Sequence, residues 1–262
     1  MKIIDTHAHL DQLADIDGAL ARAHQAGVAA IVAMSVDLAS MRKVLELAAG
    51  SHQPKIHPAL GVHPGEVRSQ DQQSALDFMR VHIGSAVAVG ETGLDYWYPW
   101  VRKDEAERHK QKVSFQFHLD TAKETDLPVV IHSRGAWRDC LAMTRASGVR
   151  RALFHWYSGP VDILMQILEA GYYVSTSPSV AYSPPSRAAM GQAPLERILI
   201  ETDAPVFYRA AAGQPADFLA EPKDVFRTLK ALASLKNIDE QIVLDQVNRN
   251  ARDFFGIPDL DE

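Results

Sequence analysis

The chain has 262 residues, with 27 Lys+Arg against 33 Asp+Glu and a formal charge of −6. Hydrophobic residues make up 47% and charged residues 23%, which excludes a disordered chain, a collagen-like repeat and a small disulfide scaffold. A single cysteine, Cys140, leaves no internal disulfide and suits a reducing, cytoplasmic setting. The start, Met1-Lys2-Ile3-Ile4-Asp5, meets an acid too soon for a signal peptide, and no apolar run has the length of a membrane span. The acidic balance speaks against broad basic-surface binding of nucleic acid, but it leaves room for a polyanion met by bound cations.

Short β-rich apolar runs near 2–6, 28–36, 56–61, 85–91, 128–132, 151–155, 172–176 and 197–202 alternate with longer helical stretches. Pro128-Val129-Val130-Ile131 and Ile198-Leu199-Ile200 read as strands buried on both faces. Gly27, Gly148 and Gly171 each stand where a helix ends before the next strand. Residues 113–119 alternate like a strand, with Val113, Phe115, Phe117 and Leu119 apolar, but the polar stretches on both sides favour one long helix leading to Pro128. The helical period is clearest near the end, at Val225, Phe226, Leu229 and Leu232, then Val243, Val247, Phe254 and Phe255. Eight strand-then-helix units without a linker predict an α/β chain folded as a (β/α)8 TIM barrel, one domain over 1–262. An open doubly wound sheet is the alternative, but no glycine-rich phosphate loop follows the first strand.

In such barrels the chemistry sits where the strands end. Strand one ends in Asp5-Thr6-His7-Ala8-His9, whose alternate residues share a face. His63, Glu91, His132, His155 and Asp203 fall at the ends of strands three, four, five, six and eight, while strands two and seven offer no comparable group. Five of the 11 histidines therefore gather at these ends. Neutral imidazole and carboxylate are the ligands of zinc, manganese and similar ions. Six groups, His7, His9, Glu91, His132, His155 and Asp203, exceed one tetrahedral shell. They suit two divalent ions bridged by Glu91, the carboxylate between the two halves of the set. No lysine occurs in 85–95 to serve as a carbamylated bridge. Asp5 and Glu201 lie one inward step before the ligands and are expected to orient imidazoles. His63 either touches substrate, supports the ligands or is structural.

The stretches Asp5-Thr6-His7-Ala8-His9-Leu10-Asp11, Gly61-Val62-His63-Pro64, Gly90-Glu91-Thr92-Gly93-Leu94-Asp95, His132-Ser133-Arg134 and Glu201-Thr202-Asp203-Ala204-Pro205 together resemble the TatD family of metal-dependent hydrolases. They stand in family order across residues 5–205. The resemblance implies a TIM barrel with His7 and His9 on one ion, His132 and His155 on the other, Glu91 bridging and Asp203 completing the first site. It also implies hydrolysis of phosphodiesters, typically of DNA. His155-Trp156-Tyr157-Ser158-Gly159 and the stretch from Val206 to Pro222 depart from the usual pattern, which puts the substrate in question rather than the ion site.

A mechanism follows. Two divalent ions (zinc, magnesium or manganese) would acidify a water into a nucleophile, and Asp203 would accept its proton as general base. Arg134 either pairs with a phosphate through its planar fork or makes a surface ion pair. Tyr96-Trp97-Tyr98-Pro99-Trp100, followed by Arg102 and Lys103, either stacks single-stranded bases or plugs a loop onto the barrel. All four tryptophans follow predicted strand ends, and loops 177–187 and 204–222 are expected to wall the mouth. The rival readings are a two-metal hydrolase of an ester or amide (a lactone, a cyclic amide or a misacylated tRNA) and a non-catalytic metal-binding relative. DNA is the expected partner; no membrane and no obligate protein partner are expected.

Overall fold

Val28–Met34, Val129–His132 and Ile198–Ile200 are apolar at nearly every position, so they can be stable only where both faces are covered. The computed structural model, which describes residues 1–210 and 216–258, provides that cover. Pro215, part of the expected mouth loop, lies outside the described residues. Eight strands form one sheet in chain order: β1 (Ile3–Ala8), β2 (Val28–Met34), β3 (Lys55–Leu60), β4 (Ala88–Gly93), β5 (Val129–His132), β6 (Ala152–Phe154), β7 (Tyr173–Thr176) and β8 (Ile198–Ile200). Every neighbouring pair is parallel. The sheet closes on itself through a bridge between Ala8 and Ala204. Beside that bridge Asp203 N donates to His7 O (2.9 Å) and His9 N to Ala204 O (2.7 Å). The expected TIM barrel is therefore the fold.

The helices are α1 (Ile16–Ala26), α2 (Leu38–Ala49), α3 (Gln72–His82), α4 (Glu105–Thr125), α5 (Trp137–Ser147), α6 (Val161–Glu169), α7 (Pro184–Gln192), α8 (Val225–Lys236) and α9 (Glu240–Phe255). Their ends follow local chemistry. Asp37 and Ser40 form a reciprocal capping box on α2, and Asp104 accepts from the amides of Ala106 and Glu107 to start α4. Gly27 and Gly148 end α1 and α5 in the left-handed conformation, as their placement predicts. The ambiguous residues 113–119 lie inside α4. Beyond β8, the short strands β9 (Phe207–Tyr208) and β10 (Phe218–Leu219) pair antiparallel. No helix of the described residues is long and apolar enough to cross a membrane.

Two apolar layers hold the barrel. The outer one lies between sheet and helices, with Ile3, Ile31, Leu60, Phe115, Phe154 and Leu229 fully or almost fully buried. The inner one fills the barrel with Ile4, Val32, Met34, Val130, Leu153 and Leu199, and Phe254, Phe255 and Ile257 at the end of α9 pack beneath them. Arg151, just before β6, donates to Phe254 O (2.9 Å), which fixes that end of α9 under the strand starts.

One buried histidine braces the mouth from outside the barrel. His118 on α4 has Nδ1 at 2.7 Å from Ser114 O, and its Nε2 accepts from Val62 N (2.9 Å), next to His63. Burial pushes its pKa down from the ordinary 6.5 to about 4. Between those values the unfolded chain takes up a proton that the folded chain refuses, so stability rises with pH in that window. The contribution is fully present above pH 6.5 and lost as pH falls toward 4, by roughly 3 kcal/mol. Denaturant unfolding of the wild type and of His118→Gln, each at neutral pH and near pH 4, should show the smaller acid loss in the variant. Equal losses would remove His118 as a source of acid sensitivity.

Candidate metal centre

Strand geometry does the assembling. His7 and His9 are two residues apart at the end of β1, so both rings reach the same side of the barrel mouth. Their Nε2 atoms are 3.3 Å apart. His7 Nε2 lies 3.4 Å from Glu91 Oε2 and 3.3 Å from Asp203 Oδ1; His9 Nε2 lies 3.3 Å and 3.4 Å from the same two oxygens. These five separations match the edge of a tetrahedron, about 3.3–3.4 Å for bonds of about 2.0–2.1 Å to a central ion. Asp203 Oδ1 is buried without a regular hydrogen-bond partner, which suits an atom aimed at a cation.

The other oxygen of Glu91 faces a second set. Oε1 lies 2.8 Å from His155 Nε2 and 2.9 Å from His132 Nδ1, and those nitrogens are 3.4 Å apart. His63 Nε2 is 3.7 Å from the same oxygen. The structure thus brings together all six expected ligands, plus His63, around one carboxylate. Groups able to hold an ion include His7, His9 and Asp203, and also His63, Glu91 and His132. His7 further stacks on His155, with ring centroids 4.1 Å apart.

The surrounding residues divide unevenly. Glu201 acts as expected: Oε1 is 3.4 Å from His155 Nδ1, and Oε2 accepts from Ser175 Oγ (2.6 Å). Asp5 does not orient an imidazole. Its carboxylate accepts from Thr202 N (2.9 Å) and Thr202 Oγ1 (2.6 Å), tying β1 to the end of β8, and reaches only the backbone amide of His7 (3.4 Å). The Nδ1 atoms of His7 and His9 have no hydrogen-bond partner among the described residues. Strands two and seven do contribute, but through hydroxyls: Ser35 Oγ bridges Gly61 N and O, and Ser175 holds Glu201 and the amide of Trp156.

Asp95 is a site residue that position at a strand end does not reveal, because it lies two residues beyond β4. It is wholly buried. Its Oδ2 lies 2.9 Å from His132 Nε2 and accepts from Arg134 Nε and an Arg134 terminal nitrogen, both at 2.8 Å; its Oδ1 accepts from Trp97 N (2.8 Å). Its place in Gly90-Glu91-Thr92-Gly93-Leu94-Asp95 is the one sequence signal that could have pointed to it. Arg134 is therefore both an ion-pair partner and a wall of the cavity, nearly half exposed. Gly93 permits the packing of β4 on β5, since a Cβ there would sit 2.0 Å from His132 O.

Charge in this pocket is strongly perturbed. Burial alone would push Glu91 up, but His155 and His132 hold it well below the carboxylate range. Asp203 is likewise pushed up by burial and brought low by His9 and His7. Burial lowers His9, yet Asp203 and Glu91 together raise it to about 10. His63 goes the other way, to about 3, because burial dominates. Its Nδ1 accepts from Gly65 N (2.9 Å), so the neutral ring carries its proton on Nε2, facing the cavity. In that tautomer the ring presents a donor to the cavity, and it would have to give up that proton to join Glu91 and His132 around an ion.

The cavity above these groups measures about 730 Å³. Trp97, Tyr98, Trp137, Trp156 and Tyr182 line it together with Arg134 and His63. The aromatic loop is neither a pure plug nor a free platform: Tyr98 stacks on Trp100, while Trp97 stays 59% exposed. Trp156 and Asp203 both have left-handed backbone, φ 40 and φ 51. Such residues cost roughly 1–3 kcal/mol each and persist only where their surroundings fix them. Here Trp156 Nε1 donates to Ser179 Oγ (2.8 Å), and Asp203 is pinned through its amide to β1.

The family model described as TatD related DNase matches residues 4–256. The chain belongs to that family. A Mycobacterium tuberculosis relative, named an uncharacterized metal-dependent hydrolase TatD, is 33% identical over 97% of this chain and 98% of its own. The human protein named deoxyribonuclease TATDN3 is 29% identical over 97% of this chain and 94% of its own. The crystal structure of the TatD homologue YjjV from Escherichia coli K12 superposes with a TM-score of 0.85 at 27% identity, covering 98% of both chains.

Metal-ligating imidazoles commonly donate their second nitrogen to a carboxylate, and losing that partner costs about 10–100-fold in ion affinity. Asp95→Asn should therefore weaken Zn2+ or Mn2+ binding by about that factor in calorimetric titration, with the fold intact by circular dichroism. Unchanged affinity would show that Asp95 serves Arg134 and Trp97 alone.

Proposed function

We propose that this TatD-family hydrolase cleaves phosphodiester bonds of DNA with two divalent ions, held by His7, His9, Glu91, His132, His155 and Asp203. The division of Glu91 carries the reading: Oε2 belongs to the His7, His9 and Asp203 set and Oε1 to the His132 and His155 set. We read residues 1–262 as one hydrolase domain, supported by a family match over 4–256. A cytoplasmic location belongs to the same reading, since the lone thiol of Cys140 is buried and suits a reducing compartment.

Bound divalent ions supply the positive charge that acidifies a water and offsets the charge growing on phosphorus. The chain's residues do the rest. Asp203, ionised at neutral pH and open to the cavity, accepts the proton of the attacking water. His63 presents its Nε2–H to a non-bridging phosphate oxygen. Arg134, anchored on Asp95 and lying 5.3 Å from the Tyr98 ring centroid, offers its remaining guanidinium edge to a phosphate. The aromatic walls exclude water and give bases a face on which to stack.

The purified chain should cleave single-stranded DNA when supplied with Mg2+, Mn2+ or Zn2+ and not with chelator. His132→Ala and Asp203→Asn should each lose more than the ~10–100-fold typical of an outer partner. Full cleavage by both variants would overturn the ligand assignment. Hydrolysis of a lactone or an aminoacyl ester without any action on DNA would move the activity to the carbonyl class.

A further inference from the structure

A second concave surface carries charge of one sign. Between α7 and α8, on the flank of the barrel, lies a groove of about 410 Å³ lined by Ala181, Arg187, Arg227, Lys230, Ala231 and Ser234. Three of these six are cations and none is a carboxylate, in a chain whose net charge is −6. By contrast, the depression between α2 and α3 sets Arg42 beside Glu46.

The three cations differ in how they are held. Arg227 Nε donates to Asp224 Oδ1 (2.7 Å), and its guanidinium lies 4.2 Å from the Phe218 ring centroid, so its head is fixed in place. Arg187 reaches Val180 O at 3.4 Å and is otherwise exposed. Lys230 is exposed and makes no hydrogen bond or ion pair among the described residues. Among the described residues neither Arg187 nor Lys230 forms an ion pair with a carboxylate, so both bring positive charge to the groove.

Position links this groove to the catalytic cavity. Tyr182, Ser183, Pro185 and Ser186 line the cavity, while Ala181 and Arg187, from the same stretch of chain, line the groove. The segment 181–187 is thus a rim with the cavity on one side and the cations on the other. A strand leaving the cavity over this rim would meet positive charge again.

We propose that the groove between α7 and α8 binds the backbone phosphates of a single nucleic-acid strand whose reacting end occupies the cavity. The proposal rests on the phosphodiester reading above, because continuity with that cavity is what selects a nucleic acid over other polyanions. In this arrangement a protein of acidic overall charge confines its attraction for DNA to a short track beside the site.

The test uses Arg187→Gln and Lys230→Gln, singly and combined, in the full-length protein. Fluorescence anisotropy measures binding of a labelled thymidine dinucleotide and dodecanucleotide, with chelator present so that nothing is cut, from about 50 to about 200 mM salt. The wild type should bind the longer strand more tightly. The double variant should lose about tenfold of that advantage, and its slope of log affinity against log salt should fall by about 1.4, at ~0.7 for each phosphate contact in a single strand. Dinucleotide binding and hydrolysis of bis(4-nitrophenyl) phosphate with added metal should not change. An unchanged slope and affinity for the dodecanucleotide, or no length preference in the wild type, overturns the groove. So does a variant that loses affinity for polyglutamate or anionic vesicles and keeps it for DNA. If strand binding falls as expected while the wild type cleaves no phosphodiester, the groove stands and the hydrolysis reading fails.

Discussion

A carboxylate stripped of water and set among imidazoles must be met by positive charge from several sides. Glu91 is almost fully buried, and each of its oxygens faces its own pair of histidine nitrogens at 2.8–3.4 Å. Asp203 is similarly enclosed by His7 and His9. These acids draw protons toward the rings beside them: Asp203 and Glu91 raise His9 to about 10 and Glu91 raises His155, whereas burial keeps His7 low. Cations in place of those protons satisfy the same oxygens and leave the imidazoles neutral, so the donor set favours metal over proton as pH rises.

Closure of the barrel makes this crowding possible. His7 and His9, at the end of β1, and Asp203, after β8, are far apart in the chain and adjacent only because the sheet returns on itself. Asp5 serves that return by binding Thr202. The amides of His9 and Asp203 complete the seam, placing the end of β1 beside Asp203. Gly93 lets β4 and β5 approach closely enough that Glu91 and His132 meet.

Much of this was legible in the sequence, for physical reasons. Strands covered on both faces must be apolar throughout, so the eight runs stood out, and ionisable residues at their ends were conspicuous against that background. Boundaries slipped where the mouth begins: the run 85–91 is β4 at Ala88–Gly93, since the strand continues through residues that bear chemistry. In α4 the helical period was masked because its buried face carries Gln111, Ser114 and His118 as well as Phe115 and Leu119. Two of those polar groups are satisfied across elements: Gln111 bonds Pro64 O and Asp95 N, and His118 accepts from Val62 N. The supporting roles of Ser175, Thr202 and Asp95 stayed hidden for the same reason: a hydroxyl or a carboxylate past a strand end gains meaning only from the partner that the fold brings to it.

The packed floor under the barrel has a consequence for traffic. Phe254, Phe255 and Ile257 pack against the apolar barrel interior at the end opposite the site. On the phosphodiester reading proposed above, a strand would enter and each fragment would leave by the same mouth. Release of one fragment and admission of the next length of strand would then compete for the same aromatic-lined opening.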